Sequence, residues 1–303
     1  MFLPRGCHTA IVTPFTRDGS AVDFERLDEQ VRFQAAGGVS GVVPCGTTGE
    51  SPTLSESEQR EVISRTIAVA KPLGLTVIAG AGSNSTAHAA HLHAFAAAAG
   101  ADASLQVNPY YNKPSQEGLY RHFMTVAESA DLPVVLYNIP GRTGVALAPA
   151  TIERLASHPN IRAIKEATGS LDSASEIVSR CELALLSGDD TMTLPFASVG
   201  GVGVVSVVSN LLPAAVQELC DAFLADRWGQ ARALHRHLFA VCRGLLSLDT
   251  NPIPVKAAME LLGRDSGALR LPMCRGSEAT FESVRPLLAA AGLLEPVTAG
   301  SAS

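Results

Sequence analysis

Short apolar runs alternate with polar, helix-forming stretches along the first two thirds of the chain, and the alternation predicts eight strand–helix units. The apolar runs fall at Thr9–Phe15, Gly41–Gly46, Leu75–Gly82, Ala103–Tyr110, Pro133–Ile139, Ile161–Ala167, Leu183–Asp189 and Val202–Val207, their starts 19 to 34 residues apart. Each interval has room for a strand and a return helix. The runs are apolar nearly throughout, as parallel strands covered on both faces are. Between them, Ser55-Glu56-Ser57-Glu58 has the spacing of a capping box. Asn84-Ser85-Thr86 opens an Ala-rich helix ending near Gly100, and Ser115-Gln116-Glu117 opens another. Eight βα units in series predict an α/β fold, a (β/α)8 TIM barrel over residues 1–210. A doubly wound sheet of eight such units would be unusually wide.

After Asn210 the strand pattern stops, and Pro213–Ala225, Gln230–Leu246 and Ile253–Leu262 read as amphipathic helices, with a weaker one ending near Gly292. Residues 211–303 are thus expected to form a C-terminal helical region, with a small, polar, frayed tail from Glu295. The apolar stretch Val199–Val216 is broken by Gly, Ser, Asn and Pro, which argues against a membrane span.

Composition narrows the function classes. A net charge of −6 without a basic cluster argues against nucleic-acid binding. The six cysteines form no Cys-x-x-Cys pair, and the start lacks the apolar core of a signal peptide, so a cytoplasmic location is expected.

Of 23 Lys and Arg residues only Lys71, Lys113, Lys165 and Lys256 are lysines. A lysine amine, unlike a guanidinium, can lose its proton when desolvated and attack a carbonyl. Only Lys165 lies inside an apolar strand, with Ile161, Ala163 and Lys165 expected on one face. The competing reading is a structural ion pair. In a barrel of this kind functional groups sit where strands end, and those positions form a coherent set. Gly46-Thr47-Thr48-Gly49-Glu50-Ser51 offers a tight turn with hydroxyls able to hold a carboxylate. Tyr110 and Tyr111 stand on a proline-stiffened loop. Tyr137 ends the fifth strand, ahead of a loop carrying Arg142. One amine, two phenols, two threonines and an arginine suit iminium chemistry on a 2-oxo acid, with the iminium as electron sink.

The stretches GTTGES (46–51), NPYYNKPSQEGLY (108–120), YNIPGRTG (137–144), IKEATG (164–169), LLSGDD (185–190) and NPIPVK (251–256) resemble dihydrodipicolinate synthases, in the right order from about Thr9 to Leu294. The resemblance implies a lyase that condenses pyruvate with L-aspartate 4-semialdehyde, the entry to diaminopimelate and lysine, in a homotetramer without metal or organic cofactor. It implies that Lys165 forms the Schiff base and that Tyr137, Thr48 and Tyr111 relay protons, Tyr111 from a neighbouring subunit. Thr47 and Thr48 would hold the pyruvate carboxylate, Arg142 would bind that of the semialdehyde, and Gly188 and Val205 would line the pocket. Gly141, where the family often has Ser, is expected to loosen the arginine loop. In members inhibited by lysine the inhibitor sits at the dimer interface. Ser51, Asn84 and Tyr110 match that site, but His88, Glu56 and Gln59 stand where a glutamate and two histidines are expected.

The closest rival activities are N-acetylneuraminate lyase and keto-sugar-acid aldolases or dehydratases, against which Arg142 discriminates, since a carboxylate clamp suits a short acidic aldehyde. A non-catalytic sensing barrel would not need the amine. Of His88, His91 and His93, the first two are expected to share a face of the Ala-rich helix and His93 to point elsewhere, so a solvated helix face is expected rather than a metal site. Lys256 is expected to be structural, and Asp189-Asp190 to cap a loop or helix.

Overall fold

The computed structural model describes residues 3–295; most of the tail expected to fray lies outside them. Eight parallel strands close a barrel in chain order: β1 Gly6–Thr9, β2 Gly41–Val42, β3 Thr76–Gly80, β4 Ala103–Val107, β5 Val134–Asn138, β6 Ile161–Glu166, β7 Ala184–Ser187 and β8 Gly203–Ser206. β8 pairs with β1, Val205 opposite His8. Helices cover the outside: α1 Phe24–Ala36, α2 Glu56–Ala70, α3 Thr86–Ala99, α4 Gln116–Glu128, α5 Pro140–Thr143, α6 Pro149–Ala156, α7 Leu171–Arg180 and α8 Thr193–Ala197. The C-terminal segment adds α9 Pro213–Leu224, α10 Trp228–Leu248, α11 Ile253–Leu261 and α12 Glu278–Ala290.

The signals read from sequence act as expected at several helix ends. Ser55 accepts from the Glu58 amide while Glu58 reaches back to the Ser55 amide, the reciprocal box that starts α2. Such caps are worth about 1 kcal/mol. Gly100 closes α3 in the left-handed region, where a side chain would be strained.

Two strands differ from expectation. β1 ends at Thr9, where the expected strand began, because Ala10–Phe15 is buried by loop packing. Thr13 Oγ1 donates to the Gly49 carbonyl at 2.7 Å, and Phe15 bridges Val22 antiparallel. β2 is cut short because Pro44 lacks an amide proton and Cys45 turns the chain at φ +55°.

The barrel interior is filled by Ala10, Val43, Ile78, Leu105, Val135, Ala163, Leu186 and Val205. Outside, one apolar cluster runs from Val31 and Ile63 through Leu238 and Val255 to Leu288. The C-terminal helices therefore share a core with the barrel. Their α10–α11 connection passes over the mouth.

Candidate active site

The pleat of β6 aims Lys165 inward. Ala163 joins the interior cluster, while Ile164 packs outward among Leu119, Phe123 and Ile177. Ile161, expected on the Lys165 face, packs outward as well. A register slip between Val134 and Val135 of β5 sets Ile161 opposite Val134 and Ala163 opposite Val135, so the alternation is broken at Arg162. Beyond the slip Tyr137 lies opposite Lys165, and Lys165 Nζ stands 4.0 Å from the centre of the Tyr137 ring. Directly behind this pair Asn138 donates to Glu166 Oε2 at 2.9 Å and the Thr168 amide to Oε1 at 2.8 Å. The first bond ties β5 to β6 at the level of the amine, and the second fixes the Glu166 carboxylate at the end of β6.

Among the described residues Lys165 Nζ has no ion-pair or hydrogen-bond partner, whereas Lys256, the other buried lysine, is fully committed. Lys256 Nζ sits 2.6 Å from Glu50 Oε1 and 2.7 Å from the Ala268 carbonyl. The Arg270 amide meets Glu50 Oε2 at 3.2 Å. Lys256 is the structural ion pair, and Lys165 is the amine that faces open space.

That space is a cavity of about 470 Å³. Thr47 and Thr48 border it from the turn after β2, Tyr137 from β5, Arg142 from α5, and Gly188 and Val205 from the ends of β7 and β8. A Cβ on Gly188 would lie 2.6 Å from Ala167 Cβ and 3.1 Å from Lys165 Cε, so this position must stay bare beside the amine. Asp189 caps the turn after β7 by accepting from the Thr191 amide. Asp190 is a buried latch rather than a loop cap: Ser206 Oγ and the Val207 and Val208 amides donate to it, and burial still pushes its carboxyl above the usual range.

The residues expected at the lysine site converge elsewhere. Ser51, Glu56, Gln59, His88 and Tyr110 line a neighbouring cavity of about 400 Å³, with Thr47 and Arg142 bordering both spaces. Asn84 supports it by donating to the Tyr110 carbonyl at 3.2 Å. Gln59 spends its amide on the Gly80 carbonyl at 2.9 Å, and Glu56 is engaged by His91 and Arg60. His93 points away from His88 and His91, as expected, and is buried against Ser104 Oγ at 2.7 Å. Tyr111 joins neither cavity in the single chain; it is 89% exposed on a left-handed residue of φ +71°.

The mouth also contains residues that sequence reasoning passed over. Leu246, near the end of α10, and Asp249, Thr250 and Asn251, from the α10–α11 connection, close it from above. Asn251 Nδ2 donates to Thr48 Oγ1 at 2.9 Å, and Arg142 Nη2 donates to the Asn251 carbonyl at 3.3 Å. The available signal was the Asn-Pro-x-Pro run itself, a polar residue on a stiffened turn just before a helix.

Fold and site together define a (β/α)8-barrel lyase of the kind built around a buried amine. The chain belongs to the dihydrodipicolinate synthetase family, whose profile it matches over residues 3–291. It is 48% identical over 286 residues to the 4-hydroxy-tetrahydrodipicolinate synthase of Citrifermentans bemidjiense, covering 94% of this chain and 97% of that one. The chloride-inhibited dihydrodipicolinate synthase of Acinetobacter baumannii, solved with pyruvate, superposes with a TM-score of 0.93 at 40% identity, covering 96% of this chain and 99% of that one. The enzyme from Cyanidioschyzon merolae, solved with lysine bound, gives the same TM-score of 0.93, identity of 40% and coverages of 96% and 99%.

Proposed function

We propose that this chain condenses pyruvate with L-aspartate 4-semialdehyde to 4-hydroxy-tetrahydrodipicolinate, in the route to diaminopimelate and lysine. The observation that carries the reading is the unpaired, buried amine of Lys165 against the Tyr137 ring, in a cavity bordered by hydroxyls and an arginine. The amine attacks the pyruvate carbonyl, and water leaves as the imine forms. The protonated imine withdraws electrons from the methyl carbon, which loses a proton to give an enamine. The enamine carbon attacks the aldehyde carbon of the second substrate. The substrate's own amine then adds to the imine carbon, closing the ring and releasing Lys165. The imine is the electron sink, so this sequence needs no metal or organic cofactor.

Tyr137, a threonine and Tyr111 move the protons, with Tyr111 supplied by a second subunit of a homotetramer. Of the two threonines, Thr47 suits the relay better, because it borders both cavities while the Thr48 hydroxyl is engaged by Asn251. Thr48 then serves the pyruvate carboxylate. Arg142 binds the carboxylate of the semialdehyde, and its fork suits a short acidic aldehyde. A cytoplasmic enzyme fits six cysteines that are all unpaired.

Purified protein should turn over pyruvate with aspartate semialdehyde and leave N-acetylneuraminate untouched. Borohydride with pyruvate should add the mass of reduced pyruvate to the peptide bearing Lys165. Labelling that persists undiminished in Lys165→Ala would remove the assignment.

A further inference from the structure

We infer that Asn251 is the positioning residue of this site, using its side chain to set the first substrate's subsite and its main chain to hold the second's. The inference rests on the reading of the Lys165 cavity given above. Its ground is one residue, far from the barrel strands in sequence, that touches both of the carboxylate-binding groups proposed above. Asn251 Nδ2 donates to Thr48 Oγ1 at 2.9 Å. The Asn251 carbonyl accepts from Arg142 Nη2 at 3.3 Å.

The direction of the first bond matters. A hydroxyl that accepts from an amide keeps its own proton free to donate elsewhere. Thr48 borders the cavity, so the amide turns its proton toward bound carboxylate. Without Asn251 the hydroxyl rotates among several partners. With an acceptor in place of the amide, the proton turns away from the cavity. The second bond uses the carbonyl, which a side-chain substitution leaves in place.

Asn251 itself is well held. It stands just before α11, and five residues later Lys256 grips Glu50, two positions beyond Thr48 in the same turn. The start of α11 therefore clasps the Gly46–Ser51 turn at two points, one buried and electrostatic, one at the cavity wall. The wall contact sets polarity, and the buried contact sets place.

The test is the pyruvate concentration that gives half-maximal borohydride trapping on Lys165, together with steady-state KM for both substrates. Asn251→Ala should raise the half-trapping concentration about three- to tenfold, the range of one oriented hydrogen bond, and leave the semialdehyde KM within about twofold. Asn251→Asp keeps the shape but offers only acceptors, so it should be worse than Ala for pyruvate. In a Thr48→Val background, Asn251→Ala should add nothing further. Melting temperatures of all variants report folding, and the near-isosteric Asp variant keeps the test valid if Ala destabilises the protein. An equal rise in both KM values, an Asp variant milder than Ala, or additivity with Thr48→Val would each overturn the assignment. Absence of trapping in the wild-type protein would overturn the functional reading and this inference with it. Normal wild-type trapping with an unchanged Asn251→Ala would overturn this inference alone.

Discussion

Replacing Lys256 by Met removes one charge from the best-buried ion pair and keeps the side-chain volume. Lys256 and Glu50 are 0% and 1% exposed, with Nζ 2.6 Å from Oε1. The ammonium also satisfies the Ala268 carbonyl and lies 4.4 Å from the centre of the Phe15 ring. In Lys256→Met the Glu50 carboxylate stays buried with only the Arg270 amide to meet it. Breaking such a pair from one side costs about 3–5 kcal/mol. For a chain of this size each kcal/mol moves the melting temperature by about 1.5–2 °C, so a drop of about 5–10 °C is expected. Neutralising the orphan, in Glu50→Gln/Lys256→Met, should recover part of that loss, because an amide is far cheaper to bury than an unpaired carboxylate. Calorimetric melting of the four proteins measures the cycle. Borohydride trapping on Lys165 should survive in Lys256→Met, with a higher pyruvate requirement because Glu50 anchors the Thr47–Thr48 turn. A melting temperature within about 1 °C of wild type, or a double variant as unstable as the two singles summed, would refute the argument.

Mixing Tyr111→Phe with Lys165→Ala subunits, each inactive alone, should restore part of the activity, since hybrids hold one site with both residues intact. No recovery despite proven subunit exchange would place Tyr111 outside the relay. Acid should destabilise the protein through His8, which burial holds down at about 4 against an ordinary 6.5. The unfolded chain binds the extra proton between those values, so stability falls as pH drops from 6.5 to 4, by up to about 3 kcal/mol. His122, also near 4, adds to the same window, whereas Glu58, held near 2 by Arg270, loses its contribution only lower down. The melting temperature of His8→Asn should change less over pH 6.5–4 than wild type; equal slopes would reject the assignment. L-lysine should inhibit weakly or not at all, because His88 cannot neutralise an ammonium and Glu56 already shares its charge with His91 and Arg60. Initial rates against lysine at substrate concentrations near KM measure this, and strong inhibition would show the substitutions to be tolerated.

The strands that carry Tyr137, Lys165, Gly188 and Val205 were legible because nothing interrupts their apolar runs before the strand ends. Polar residues with local partners were legible too, as at Ser55 and Gly100. What escaped depends on distant chain. Ala10–Phe15 has a strand's composition, yet it is apolar because loops and C-terminal residues bury it; Ser266 Oγ bonds the Phe15 carbonyl at 2.7 Å. The slip that turns Ile161 outward leaves no mark in composition, since an extra residue in a strand changes phase and not hydrophobicity. The threonines were visible as a pair, but the bond that sets Thr48 apart was not, because the amide that makes it lies 203 residues away.

That separation bears on how the enzyme comes into being. During synthesis Lys165 and the whole Gly46–Ser51 turn leave the ribosome long before Asn251, Lys256 and Arg270, which later clasp the turn. A nascent chain ending just short of residue 256 holds the reactive amine and all eight barrel strands, but Glu50 waits without its counter-charge. Contacts of such long sequence separation make closure a late folding event. The reactive pocket is thus assembled only once the C-terminal helices arrive, and a truncated product carries the amine without a finished place to use it.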